Sequence, residues 1–201
     1  MKRTAILIAA LAGLFLTVLA HAQAQEPGQS YFGIGYGAVW SKGASPYDNT
    51  LDEDTSEGAK IYAGSMRDRF GIEIGYYNLG KYDVNFGGAK IAETNTSAIA
   101  VSAVMATPLG GGYSLHAKLG LAFTQHEIEC PGACVPASPT LANTKKRGTS
   151  GLLGLGVGAL MGQNVLVRID FEHIGNVHHA TSTFEYKEAY DMLSVNLQFN
   201  F

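Results

Sequence analysis

The chain has 201 residues, with 14 Lys and Arg against 17 Asp and Glu, for a formal net charge of −3. That length suits one domain, and the mildly acidic balance lacks the basic footprint of a nucleic-acid-binding protein. No apolar run after residue 24 reaches the roughly 20 residues of a transmembrane helix.

The N-terminus opens with Lys2-Arg3, an apolar run over 5–19, and two overlapping A-x-A sites, Ala20-His21-Ala22 and Ala22-Gln23-Ala24. This is the pattern of a secretory signal peptide. Residues 1–22 are assigned to it, with cleavage near 22–24; an uncleaved anchor is the alternative. Loss of Lys2 and Arg3 subtracts two positive charges from −3 and leaves −5.

Thereafter period-two alternation recurs, the signature of half-buried strands. Residues 31–40 (YFGIGYGAVW) set Phe32, Ile34, Tyr36, Ala38 and Trp40 against Tyr31, Gly33, Gly35, Gly37 and Val39. Residues 59–66 set Ala59, Ile61 and Ala63 against Lys60, Tyr62 and Gly64. In 70–78, Phe70, Ile72, Ile74 and Tyr76 oppose Gly71, Glu73, Gly75 and Tyr77. In 98–107, Ile99, Val101, Ala103 and Met105 oppose small residues and Val104. Residues 113–126 carry Leu115, Ala117, Leu119, Leu121 and Phe123 on one face, with His116 and Lys118 on the other. In 152–161, Leu153, Leu155, Val157 and Ala159 oppose three glycines. In 165–173, Val167, Ile169 and Phe171 oppose Arg168, Asp170 and Glu172. The last stretch, 191–201, alternates Leu193, Val195, Leu197, Phe199 and Phe201 with Ser194, Asn196, Gln198 and Asn200.

Three connections are short, at 66–69, 107–112 and 162–164. Four are long, at 41–58, 79–97, 127–151 and 174–190, and hold most of the charge and proline. An even number of strands, with tight turns at one end and long loops at the other, is the plan of an outer-membrane barrel. The predicted fold is all-β: an eight-stranded antiparallel up-and-down transmembrane β-barrel over residues 30–201. Cys130 and Cys134 (CPGAC) fall in the third long loop. In an exported protein they are expected to form a disulfide around a Pro-Gly turn, worth about 2 kcal/mol for so short a loop. A metal pair with His126 is the alternative, but no second close ligand pair accompanies it.

Soluble barrels also alternate, with their apolar face inward. The second face decides between the two. It is Gly, Ala and Ser on the first, fourth and sixth strands. Glycine contributes nothing to a solvated surface but fits the narrow lumen of eight strands. The apolar face, as phased, contains no charged residue or histidine, as lipid contact requires. Six charges lie on the small face: Lys60, Glu73, Lys118, Arg168, Asp170 and Glu172. Enclosed together they must pair, because an unpaired buried charge is very costly; Glu73 is expected to meet Lys118 or Arg168. Such a cluster would plug and stiffen the barrel. A gate or proton path is the alternative.

The segment Gly71-Ile72-Glu73-Ile74-Gly75-Tyr76-Tyr77-Asn78-Leu79-Gly80 resembles the third-strand motif of the OmpA-like and opacity-type outer-membrane barrels, and Val167-Arg168-Ile169-Asp170-Phe171 resembles their seventh strand. The resemblance implies a lumen salt-bridge cluster containing Glu73, Lys118 and Arg168. It also implies that Phe199 and the terminal Phe201 form the insertion signal read by the barrel-assembly machinery. Gly158 stands where some relatives place an inward acid, so different wiring is expected. No peptidoglycan-binding domain is expected after the barrel, so wall anchoring is not implied.

Some eight-stranded barrels are lipid A hydrolases with an H-x-S-N pattern. The comparable stretch here is His173-Ile174-Gly175-Asn176, with glycine in the nucleophile's place. Nucleophilic catalysis then has no start beside the histidine; Thr181 or Ser182 is the remaining hydroxyl. His126, His173, His178 and His179 are expected at the loop end as solvated groups, with metal binding or pH sensing as the alternative. The acidic 48–57 and basic Lys145-Lys146-Arg147 stretches read as solvated charge, the latter with lipopolysaccharide phosphate as its alternative partner. Asn95-Thr96-Ser97 is a chance match to a glycosylation sequon in a bacterial setting. The sequence therefore predicts a monomeric surface protein of a Gram-negative outer membrane, in contact with outer-membrane lipid and lipopolysaccharide. It requires no cofactor and no nucleic acid, and its loops are free for an extracellular ligand. A lipid A deacylase and a small-solute pore are the other functional classes.

Overall fold

The computed structural model describes residues 29–44, 51–86, 89–129, 144–180 and 185–201. The signal segment, Cys130 and Cys134, and Thr181 and Ser182 lie outside the described residues. Eight strands run in chain order: β1 Gln29–Ala44, β2 Leu51–Arg67, β3 Phe70–Phe86, β4 Ala89–Gly110, β5 Tyr113–Glu129, β6 Thr144–Met161, β7 Val165–Ala180 and β8 Glu185–Asn200. Each pairs antiparallel with its chain neighbours, and β1 pairs with β8 to close the barrel. Across the membrane-spanning part closure leaves no sheet edge, so backbone groups find partners on both sides without recourse to water; beyond it the β2–β3 ladder stops at Ala59 and Asn78 and the β6–β7 ladder at Leu152 and Ile174. At the seam Ser30 N donates to Phe201 O at 3.1 Å, and Phe201 N returns a bond to Ser30 O at 2.9 Å.

The described turns are tight for local reasons. Asp68 sits at φ 56° between β2 and β3, a left-handed conformation that Asp tolerates. Gly162 takes φ 83° in the β6–β7 turn, where a Cβ would be strained.

The wall is inverted relative to a soluble protein. Arg168 is 1% exposed, whereas Ile72 is 67% exposed. Ile34, Ile61, Leu119, Leu155, Ile169 and Val195 all face outward, forming the apolar belt that acyl chains would cover. The expected phase holds along the strands, and in β2 Ile61 is exposed while Lys60 and Tyr62 are buried, although Ala63, expected on the outer face, is 8% exposed.

The strands are longer than the alternation. They run for 16 to 22 residues, whereas a tilted membrane strand needs about 9–11. Much of the four expected loops is therefore sheet. The acidic residues from 51 to 57 belong to β2, paired with β1, and Lys145 to Arg147 belong to β6, paired with β5. Two expected strand ends fall on register shifts, at Asn78/Lys81 in β3 and Ile174/Val177 in β7. A bulge inserts an extra residue and reverses the inward-outward phase, so the alternation stops where the strand does not. Asn78 stabilises the first shift, its Oδ1 accepting from Gly80 N at 3.1 Å.

Candidate functional site: the barrel lumen

The six inward charges come together in one network. On β5, Lys118 Nζ lies 2.7 Å from Glu73 Oε1 on β3 and 2.9 Å from Glu172 Oε1 on β7. Lys60 Nζ, on β2, reaches Asp170 Oδ2 at 3.0 Å and also Glu172 Oε2. Arg168 donates to Asp170 through Nε at 3.2 Å and Nη2 at 2.7 Å, and to Gln198 Oε1 through Nη1 at 2.7 Å. Its Nη1 lies 3.6 Å from Glu73 Oε2. All six side chains are at most 2% exposed. Three cations meet three anions, so the enclosed charge is balanced, as a low-dielectric interior demands.

Three tyrosines complete the network. Tyr31 donates to Glu73 Oε2 and Tyr77 to Glu172 Oε1, each at 3.0 Å. The ring of Tyr62 lies amid the cations, with its centroid 5.5 Å from Lys60 Nζ, 5.3 Å from Lys118 Nζ and 5.2 Å from Arg168 Cζ. Such distances suit cation–π attraction. The sequence places these tyrosines on the lumen face by phase, but alternation alone does not join them to the charges. Glycines make the space: a Cβ on Gly33 would run into the Tyr62 ring, and one on Gly154 would stand 3.2 Å from Glu172 Cγ and 3.3 Å from Lys118 Cβ.

Towards the end where β1 meets β2 through residues 45–50, the lumen changes character. Val39, Leu79, Leu152, Ile174, Tyr190 and Met192 are essentially fully buried in one apolar cluster. Beyond it Thr96 Oγ1 lies 3.0 Å from His126 Nδ1. At the opposite end Ser114 Oγ lies 2.7 Å from His116 Nε2. A Cβ on Gly158 would stand 3.1 Å from that same Nε2, so His116 occupies the space an inward acid at 158 would need.

The two described histidines of that expected group, His126 and His173, do not gather. His126 is buried on the lumen side of β5, and His173 stands on the outer face of β7. Their strand parity sends them to opposite sides of the wall. The side chains of His178 and His179 lie outside the described residues. His173 also corrects the expectation of an outer face free of histidine and charge. Its Nδ1 lies 2.6 Å from Asp191 Oδ1 on the neighbouring β8. Both stand at the upper rim of the belt, beyond Phe171 and Leu193, where water returns and the cost of polarity falls. Gly175 follows on the same face, and a Cβ there would be 3.5 Å from His173 Nε2. An oriented imidazole is present, but the position a nucleophile would take is bare. Phe199 and Phe201 both face outward at the seam end.

The family model described as OmpA-like transmembrane domain matches residues 25–201. Among solved structures, the outer membrane protein OprG of Pseudomonas aeruginosa aligns with a TM-score of 0.62 at 14% identity, over 88% of this chain and 98% of OprG. Neisserial surface protein A aligns at 0.57 and 17% identity, over 85% and 97%. The Ail protein of Yersinia pestis, in complex with the heparin analogue sucrose octasulfate, aligns at 0.51 and 15% identity, over 86% and 99%. No curated protein matches the chain significantly by sequence.

Proposed function

The chain belongs to the OmpA-like transmembrane domain family, and from that premise we propose that it is a sealed barrel of a Gram-negative outer membrane that works through its outer rim as a structural and surface-interaction protein. The observation that carries this reading is the filled lumen. A balanced, hydrogen-bonded charge network occupies the middle of the bore, and an apolar layer lies between it and the rim. An ion passing through would have to break several buried pairs and then shed its water against Leu152, Ile174 and Met192, a path far costlier than an open aqueous channel. Outside the belt, roughly six residues per strand beyond the 10 or so that span lipid give about 20 Å of paired strand. That collar continues as two paired groups, β7-β8-β1-β2 and β3-β4-β5-β6, and cross-strand pairs such as Lys81 with Glu93 and Lys145 with Glu127, both at 2.7 Å, lace the second. It would hold any contacting loops clear of the lipid surface. Assembly would proceed through the barrel machinery with Phe199 and Phe201 as the signal.

Planar-bilayer recording of the purified protein tests the seal. The expected result is a flat baseline, and stable unitary steps would overturn the reading. One observation favours a second class: His173 is oriented by Asp191 as a hydrolase base would be. Lipid A mass spectra from cells with and without the protein separate the two. Identical spectra are expected; loss of one acyl chain in the expressing cells would establish the enzyme.

A further inference from the structure

Resting on the outer-membrane reading, we propose that the outer wall of β6 and β7, where the apolar belt gives way to the collar, is a binding site for the phosphorylated glycolipid of the outer leaflet, lipopolysaccharide. Ser150, Leu152 and Gly154 are buried in the lumen, so their odd-numbered neighbours on β6 face outward. Down that face from the rim come Arg147, Thr149, Gly151, Leu153 and Leu155, all exposed. The chemistry changes in the order of an amphiphile: guanidinium, hydroxyl, bare backbone, then aliphatic side chains.

Each level has a specific feature. Lys145 is engaged by Glu127 at 2.7 Å, whereas Arg147 makes no ion pair among the described residues. A planar guanidinium there suits a phosphate, which it can bind with two parallel donors. Below it a Cβ added to Gly151 would meet nothing within 4 Å. On β7 a Cβ added to Gly175 would meet the His173 ring at 3.5 Å and Gly151 O at 3.7 Å. Two adjacent bare residues thus form a notch in a wall otherwise covered by side chains. His173 edges this notch, its Nδ1 held by Asp191 at 2.6 Å and its Nε2 left for a hydroxyl or phosphate of the ligand. Below it, Leu153, Leu155 and Phe171 are 55%, 63% and 46% exposed and offer a bed for acyl chains. Four residues of strand place Arg147 about 13 Å above Gly151, a span that a sugar headgroup bridges together with the arginine side chain. A simple glycerophospholipid supplies the phosphate and the chains but no ring of hydroxyls for the notch.

The test uses the full chain refolded into phosphatidylcholine nanodiscs that contain either purified lipopolysaccharide or phosphatidylglycerol. After transfer to mild detergent, native mass spectrometry reads the lipid retained. Wild type is expected to keep lipopolysaccharide and release phosphatidylglycerol. Arg147→Gln should lower the retained fraction about fivefold, the scale of one charge-assisted contact, and Gly151→Leu should also lower it by filling the notch, with heat-modifiable gel mobility unchanged in both. Arg147→Gln alters an exposed side chain, so its outcome does not depend on the barrel tolerating a filled notch. Undiminished retention in Arg147→Gln and Gly151→Leu would overturn the site, as would equal retention of phosphatidylglycerol. The lumen plays no part in this measurement. A conducting barrel that retains lipopolysaccharide would defeat the sealed-barrel reading alone, and a closed barrel that retains none would defeat this site alone.

Discussion

At the scale of single residues, the lumen network converts a cost into order. Each ion would be strongly destabilising alone in the bore; Lys118 is tolerated because Glu73 and Glu172 accept from it at 2.7 and 2.9 Å. Lys118→Met should therefore cost about 3–5 kcal/mol, the scale for breaking a buried pair from one side, read from urea unfolding of the barrel in detergent. Adding Glu73→Gln to it should cost less than the sum of the two single changes, because the second substitution removes a stranded charge. A smaller effect is expected at Gly64, where a Cβ would strike the Tyr31 ring. Gly64→Ala should cost about 1–3 kcal/mol, as overpacking does, by the same unfolding measurement. Which residues share the lumen was legible because side chains alternate strictly along a strand. How they are wired was not, since partners such as Lys60 and Asp170, 110 positions apart, meet only once eight strands have a register. Val39, Leu79, Leu152, Ile174 and Met192 were illegible as a layer for another reason. Apolar residues inside a membrane barrel contradict the simple inward-polar rule and are required only by the space they fill.

At the scale of the strand, lipid imposes the pattern that a reader can see. Between the two interfaces one side of each strand meets hydrocarbon and the other meets the lumen, so polarity must alternate. Above the interface both sides meet water or protein, alternation is no longer required, and only backbone pairing sustains the strand. This is why residues 31–40 were readable while 41–44 were not, and why the bulges after Asn78 and Ile174 ended the legible segments. His173 and Asp191 lie at the ends of the legible segments, one step past the belt, where the outer face no longer has to be apolar. The distinction gives a depth test. Val195→Arg, within the belt and 59% exposed, should cost about 2–4 kcal/mol, whereas Asn95→Arg on the outer side of β4 should cost about 0–1 kcal/mol, following the depth dependence of arginine on barrel exteriors. Unfolding in lipid vesicles measures both, and equal costs would mean that the belt has been misplaced.

At the scale of the whole molecule, the sheet is closed between its first and last strands. Protein extracted from the outer membrane and left unboiled should migrate differently in a detergent gel from the same sample after boiling, because detergent alone does not open a sheet without edges. Identical mobility, together with solubility in plain buffer, would point instead to a secreted barrel. The two backbone bonds between Ser30 and Phe201 set the first and last staves side by side. A short linker joining those positions, with the chain reopened at the Asp68 turn, would keep all eight strand pairings, the present seam becoming a hairpin and the β2–β3 hairpin the new seam, and would renumber only the order of synthesis. Such a circularly permuted barrel should reach the same folded state, so that the position of the chain's two ends would matter to how the barrel is made and not to what it is.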